Sequence, residues 1–174
     1  MAVLAVCFFT TGCEYLEKHI ILQKVAFEVD PDANRGEPFV CNIVISYYDD
    51  LNNRLKSMDA QSYFTELEEL KKKYKDSLEI FSYDIIPGKN KPSKAIEPRS
   101  RFKAKGAYIF ARYSSQGKYA ETVGRYPKLL VHMKQDRMIC RYDLDTSEWK
   151  KYKDKAEDYN IFKSRKCGES KNGK

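Results

Sequence analysis

The chain lacks most of what an enzyme or a metal site would need. It has two histidines, His19 and His132, and no Cys-x-x-Cys or Cys/His cluster, so no metal site is expected. It has no Gly-rich phosphate loop, no Gly-x-Ser-x-Gly elbow and no paired-carboxylate pattern. Asp49 and Asp50 adjoin a strand end, where adjacent residues point to opposite faces, so they read as a turn. His19 lies close to the N-terminal segment and His132 sits in an apolar strand, which reads as structural or exposed. No catalytic residue and no cofactor are therefore expected. No apolar run reaches the ~20 residues of a membrane-spanning helix. Glycine is scarce, at 8 residues, and no internal repeat is present.

The first thirteen residues carry no charge at all and end in Thr11-Gly12-Cys13, followed at once by polar Glu14-Tyr15-Leu16-Glu17-Lys18. A short apolar stretch ending in small residues is a secretory signal. Small residues directly before a cysteine resemble the lipobox of bacterial lipoproteins. That resemblance implies that Cys13 is diacylated on sulfur and becomes the mature N-terminus. Thr10 stands where such signals usually have Leu. No Lys or Arg precedes Cys13, so the true start is expected upstream, with Met1 an internal residue. The alternative is a buried apolar strand. Each buried acyl methylene contributes ~0.8 kcal/mol, so more than one chain is needed for firm attachment.

The remaining ~160 residues suit one domain with its own core. The chain has 13 Tyr and 9 Phe, which favour strands. Its net charge of +7 is unevenly spread. Residues 89–105 carry Lys89, Lys91, Lys94, Arg99, Arg101, Lys103 and Lys105 against Glu97 alone. Residues 149–174 hold nine basic side chains against Asp154, Glu157, Asp158 and Glu169. These two segments exceed the total, so the rest of the chain is acidic. Such charge suits nucleic acid, an anionic membrane or solubility. No zinc spacing, RNP-like aromatic run or recognition helix accompanies it, and nucleic acid is not an expected partner. Once Cys7 leaves with the signal and Cys13 is acylated, Cys41, Cys140 and Cys167 remain. An oxidising compartment permits one disulfide. Cys41 and Cys140, both in expected strands, are either that pair or two buried thiols.

Alternation predicts strands over Ile20–Val29, Phe39–Tyr48, Leu78–Ile86, Ala107–Tyr113, Tyr119–Arg125, Lys128–Met133 and Arg137–Leu144, with an edge strand near Lys94–Glu97. Asp30–Pro38, with two prolines and a glycine, predicts a loop. Pro87-Gly88 predicts a turn. The spacing of Tyr63, Leu67, Leu70 and Tyr74, widened by Phe64, predicts one helix over Asp59–Lys75, with Asp59 as its cap. Many short strands with one inserted helix indicate a mainly β protein, a β-sandwich.

The order of these motifs resembles the outer-membrane lipoproteins of type VI secretion systems, the TssJ family. It runs from the lipobox through Asp30-Pro31-Asp32-Ala33-Asn34-Arg35-Gly36-Glu37-Pro38 and a strand ending Tyr47-Tyr48. It continues with Met58 to Leu67, Ile86-Pro87-Gly88-Lys89, and Ala107 to Tyr113. Asp30 replaces the family's Asn, and Arg35-Gly36 inverts its Gly-Arg, which marks a divergent member. The likeness spans residues 20–133 and excludes the tail after 145. It implies a transthyretin-like β-sandwich with one inserted α-helix, no enzymatic activity, and docking onto the periplasmic domain of a TssM-like inner-membrane protein. The implied docking residues are those of the loop after the first strand: Asp30, Asp32, Asn34, Arg35 and Glu37.

The expected organisation is a signal segment at 1–12, a lipidated tether at 13–19, a sandwich at 20–145 and a basic tail at 146–174. Glu14 after the cysteine, instead of an Asp, favours the outer membrane, with the protein facing the periplasm. The competing reading is a periplasmic ligand-binding or envelope-structural lipoprotein unrelated to secretion. Cys13→Ser, expressed from the true start codon, is expected to move the protein out of the membrane fraction. Unchanged fractionation would refute acylation at that residue.

Overall fold

The computed structural model describes residues 20–124 and 126–142. Cys13, His19, Cys167 and the expected signal, tether and tail lie outside them. Among the described residues, eight strands form two four-stranded sheets. The strands are β1 (Lys24–Val29), β2 (Phe39–Ser46), β3 (Leu78–Ile85), β4 (Lys91–Ala95), β5 (Gly106–Ala111), β6 (Ala120–Val123), β7 (Lys128–Met133) and β8 (Met138–Arg141). One sheet is ordered β4-β1-β7-β8 and the other β3-β2-β5-β6. Every pairing is antiparallel except β1 with β7, which is parallel.

Alternation decides what lies between the sheets. Val25, Phe27 and Val29 of β1 meet Cys41, Ile43 and Ile45 of β2, with Ile109, Leu129, Val131 and Met133 completing the layer. Upstream of β1 the alternation breaks. Ile20 and Leu22 are buried and Ile21 is exposed. The N–H groups of Gln23 and Lys24 both donate to the Pro127 carbonyl. Two successive amides on one acceptor cannot belong to a regular ladder, so the expected Ile20–Val29 strand begins only at Lys24.

The other face of the second sheet carries a second core. Val44, Tyr108 and Phe110 pack under the helices α1 (Asp49–Ser57) and α2 (Ala60–Lys73). Helix α2 realises the expected stripe: Tyr63 and Leu70 are buried, and Phe64, Leu67 and Tyr74 partly so. Tyr63 stacks on Phe110 with ring centroids 4.1 Å apart, and its hydroxyl accepts from Asn42 Nδ2 at 3.1 Å. The Asp59 carboxylate accepts from the Ser62 N–H at 2.7 Å, and that bond holds its pKa below the usual value.

Helix α1 corrects the expectation of a single helix and of a turn at Asp49-Asp50. It has no side-chain cap. Its stability comes from Leu51 and Leu55, four apart and buried, and from Asp49 and Asp50 in the first turn with Arg54 and Lys56 in the last. Tyr108 Oη donates to Asn52 Oδ1 at 2.7 Å, fixing α1 against β5. Gly106 makes that approach feasible, since a Cβ there would stand 2.0 Å from Asn52 Oδ1.

The Cys41–Cys140 bridge is also corrected. Cys41 is a free, fully buried thiol whose pKa burial pushes up. Cys140 is disulfide-bonded, and Cys41 is not its partner. Cys41 lies on an interior strand of one sheet and Cys140 on an edge strand of the other.

Loss of the α2 cap in Asp59→Ala is expected to cost about 1 kcal/mol in urea unfolding. Gly106→Ala is expected to cost more, because Asn52 and Tyr108 must both give way. Equal unfolding midpoints for Gly106→Ala and wild type would show that α1 does not rest on this approach.

Candidate functional site

The loop Asp30–Pro38 joins β1 to β2, which belong to different sheets. It crosses the end of the sandwich, where sheets lie ~10 Å apart, and this accounts for its length. Its base is fixed by the backbone. The Asp30 N–H donates to Met133 O at 3.0 Å, and Asp30 O accepts from Ala33 at 3.0 Å and Gly88 at 3.1 Å. Its tip has three successive residues at positive φ: Asn34 at 49°, Arg35 at 59° and Gly36 at 81°. For Arg35 such a conformation costs ~1 kcal/mol or more.

Asn34 holds that tip in place. Its side chain is buried, and Oδ1 accepts from both the backbone N–H and the hydroxyl of Ser114, at 2.6 and 3.0 Å. Its Nδ2 donates to Glu37 O at 3.0 Å. Asn tolerates the left-handed region better than other non-glycine residues. The bolt to Ser114 leaves Pro31, Asp32, Arg35, Glu37 and Pro38 exposed.

Beneath the loop lies an ionic cluster drawn from β1, β7 and β8. Asp30 Oδ1 is 2.7 Å from His132 Nε2, and Asp30 Oδ2 accepts from Lys134 Nζ at 3.2 Å. Arg141 donates to Glu28 at 3.2 Å and lies 3.1 Å from His132 Nδ1. An arginine only donates, so in this contact Nδ1 can act only as an acceptor. Glu28 stands 3.6 Å from Nδ1. Two carboxylates, Lys134 and Arg141 surround the buried His132 ring. Burial raises the Glu28 pKa against the pull of His132 and Arg141. Burial would raise Asp30 as well, but the His132 and Lys134 hydrogen bonds outweigh it and hold its pKa down. Among the described residues no group of His, Cys, Asp and Glu could hold a metal ion.

Of the five expected docking residues, the structure therefore turns two inward. Asp30 belongs to the ionic cluster and Asn34 to the bolt; Asp32, Arg35 and Glu37 remain at the surface. Beside the loop, Ser114 also lines an open groove of about 410 Å³ between the start of α2 and the β5–β6 connection. Gln61, Phe64, Arg112 and Tyr119 line it too, and the Arg112 guanidinium lies 5.7 Å from the Phe64 ring centroid. Neither the groove nor the His132 cluster was legible in the sequence. The groove's members come from segments about fifty residues apart, and the cluster's from segments about a hundred apart.

A carboxylate with a lowered pKa stabilises the fold above its unfolded pKa, and the contribution is lost as pH falls through the folded value. Asp30→Asn is accordingly expected to destabilise the protein by about 2 kcal/mol at neutral pH. The difference from wild type should begin to shrink as pH falls past about 4, the ordinary carboxylate value, and go on shrinking through the lower folded value. A pH-independent difference in urea titrations would show that Asp30 acts through shape alone.

No protein-family model and no curated protein sequence matches the chain. Solved structures do. Serratia marcescens Lip, a membrane-bound component of the type VI secretion system, aligns with a TM-score of 0.53 at 12% identity, over 70% of this chain and 96% of its own. The type VI lipoprotein TssJ1 of Pseudomonas aeruginosa aligns with a TM-score of 0.53 at 11% identity, over 71% and 98%. A chain of a type VI membrane complex aligns with a TM-score of 0.50 at 16% identity, over 67% and 96%. At these identities the likeness is one of fold, and the chain has the β-sandwich fold of the TssJ lipoproteins.

Proposed function

We propose that this chain is a divergent TssJ-type lipoprotein, a mechanical part of a type VI secretion membrane complex and not an enzyme. Acylated Cys13 tethers it to the outer membrane, facing the periplasm. The Asp30–Pro38 loop docks the periplasmic domain of a TssM-like inner-membrane protein. The observation that carries this reading is the agreement of fold over nearly the whole length of the TssJ chains. The order of sequence motifs, lipobox included, points the same way.

The loop is suited to docking. Its tip is already ordered by Asn34, so binding need not meet the full entropy of immobilising it. Asp32, Arg35 and Glu37 offer charges of both signs. The rival reading, a ligand-binding lipoprotein, calls for an enclosed apolar cavity. The groove beside Ser114 is open and edged by Gln61, Thr65, Arg112 and Gln116, which does not favour it.

Simultaneous charge reversal at Asp32, Arg35 and Glu37 is expected to weaken binding of the partner's periplasmic domain about tenfold or more, which is about 1.4 kcal/mol. Fold and membrane attachment should be unchanged. Asn34→Ala, which alters no exposed charge, is expected to weaken binding as well by releasing the tip. Native affinity in the triple variant, measured by calorimetry or pull-down, would place the interface elsewhere.

A further inference from the structure

Strand direction sorts the surface into two ends. β1 and the parallel β7 start together, with Lys24 beside Lys128. β8 runs back to the same end, where the tilted rings of Tyr142 and Tyr126 pack with centroids 4.8 Å apart. β4 also finishes there: Ala95 pairs with Lys24, and the Ile96 N–H donates to Gln23 O at 2.7 Å. The chain thus enters at Ile20 and leaves after Tyr142 at one end, and the Asp30–Pro38 loop occupies the other.

The basic segment is fastened to the entering chain. Arg101 donates through Nη1 to Leu22 O and through Nη2 to Ile96 O, the latter at 2.5 Å. This presents Phe102, 81% exposed, and the adjacent exposed Lys103. Glu97 is exposed on the basic segment itself, while Asp49 and Glu79 lie on the side of the second sheet. Asp49 pairs with Lys105 at 3.1 Å, and Glu79 lies 3.9 Å from Arg99. Lys24, Arg101 and Lys103 have no such acidic neighbour within ion-pair distance among the described residues. Past Tyr142 the sequence carries Asp143, Asp145 and Glu148 and then nine basic residues against four acids over 149–174.

We propose that this end is a membrane-contact surface: Phe102 enters the headgroup–acyl boundary while Lys24, Arg101 and Lys103 face anionic phospholipid headgroups. The placement rests on reading Cys13 as acylated. Six residues, 14–19, separate that cysteine from Ile20, and the seven Cα-to-Cα steps span at most about 25 Å when fully extended. A tether that short keeps the basic end within reach of the bilayer. An acyl anchor combined with a basic patch gives stable attachment, each nearby cation strengthening it about fivefold on an anionic surface. The contact orients the molecule, so that the docking loop points away from the lipid.

The test uses the full acylated chain carrying Trp149→Phe and Phe102→Trp, mixed with vesicles containing lipids brominated on the acyl chain. Flotation with pure phosphatidylcholine vesicles reports the anchor, and fluorescence reports the surface, so the two readings fail separately. With phosphatidylglycerol vesicles the Phe102→Trp emission should shift to shorter wavelength and lose intensity. The loss should be reversed by adding Lys103→Glu, or by about 1 M salt, where the screening length falls to about 3 Å. Arg35→Trp in the same background should keep its emission. Solvent-like emission of Phe102→Trp with phosphatidylglycerol vesicles overturns the proposal, whether or not the protein floats. A shift that appears only on adding the partner's periplasmic domain overturns it too and makes this end a protein contact.

Discussion

β2 is buried on both faces, and the rest of the domain is arranged to keep it so. Phe39, Cys41, Ile43 and Ile45 face the opposite sheet. Val44 faces the helices, and Asn42 reaches the Tyr63 hydroxyl. Full burial of one such apolar side chain is worth roughly 1.5–3 kcal/mol, so this strand alone commits several. Neither sheet alone covers both of its faces. The β4-β1-β7-β8 sheet is needed on one side and the α1–α2 pair on the other. The polar exception on β2 shows the same constraint. Asn42 Nδ2 has a partner but its Oδ1 has none among the described residues, and such a half-satisfied amide persists only where surrounding packing is strong.

Once β2 is enclosed, the two ends of the sandwich acquire different chemistry. One end is crossed by a chain held in three left-handed residues and bolted by Asn34 to Ser114. Its exposed charges are of mixed sign over a partly buried ionic cluster. At the other end the chain both enters and leaves, and the basic segment lies against the entering backbone through Arg101. The separation follows from β1 itself, whose Lys24–Val29 span puts its two ends ~20 Å apart.

Much of the fold was legible as alternation. Lys128–Met133 emerged with the bounds its sequence predicts, and the Tyr63–Leu70 stripe of α2 is buried as its spacing requires. The failures share a cause: where local pattern is weak, tertiary contacts decide. α1 contains two asparagines and no side-chain cap, and only its Leu51–Leu55 pair and end charges could have signalled a helix. Ile20 and Leu22 mimic one strand face but are placed by Pro127 and Gly124, a hundred residues on. At the Asp30–Pro38 loop, composition marked a turn-rich connection but could not show which polar residues point inward. Asn34 ahead of Arg35-Gly36 was the available hint, because Asn followed closely by Gly favours left-handed backbone. Its partner Ser114 was beyond reach of any local pattern.

The parallel pairing of β1 with β7 also bears on what a partly made chain can do. Lys24–Val29 finds that neighbour in Lys128–Met133, at the far end of the described sequence. β1's other neighbour, β4, is short, and its register with β1 shifts between Val25 and Phe27. A polypeptide that stops before Met133 can assemble β2, β3, β5, β6 and both helices, yet it leaves one wall of β2 incompletely covered. Its apolar inner face would then stand open to chaperones and proteases. The core is sealed only when nearly all of the domain has been made, so the topology carries its own check on completeness.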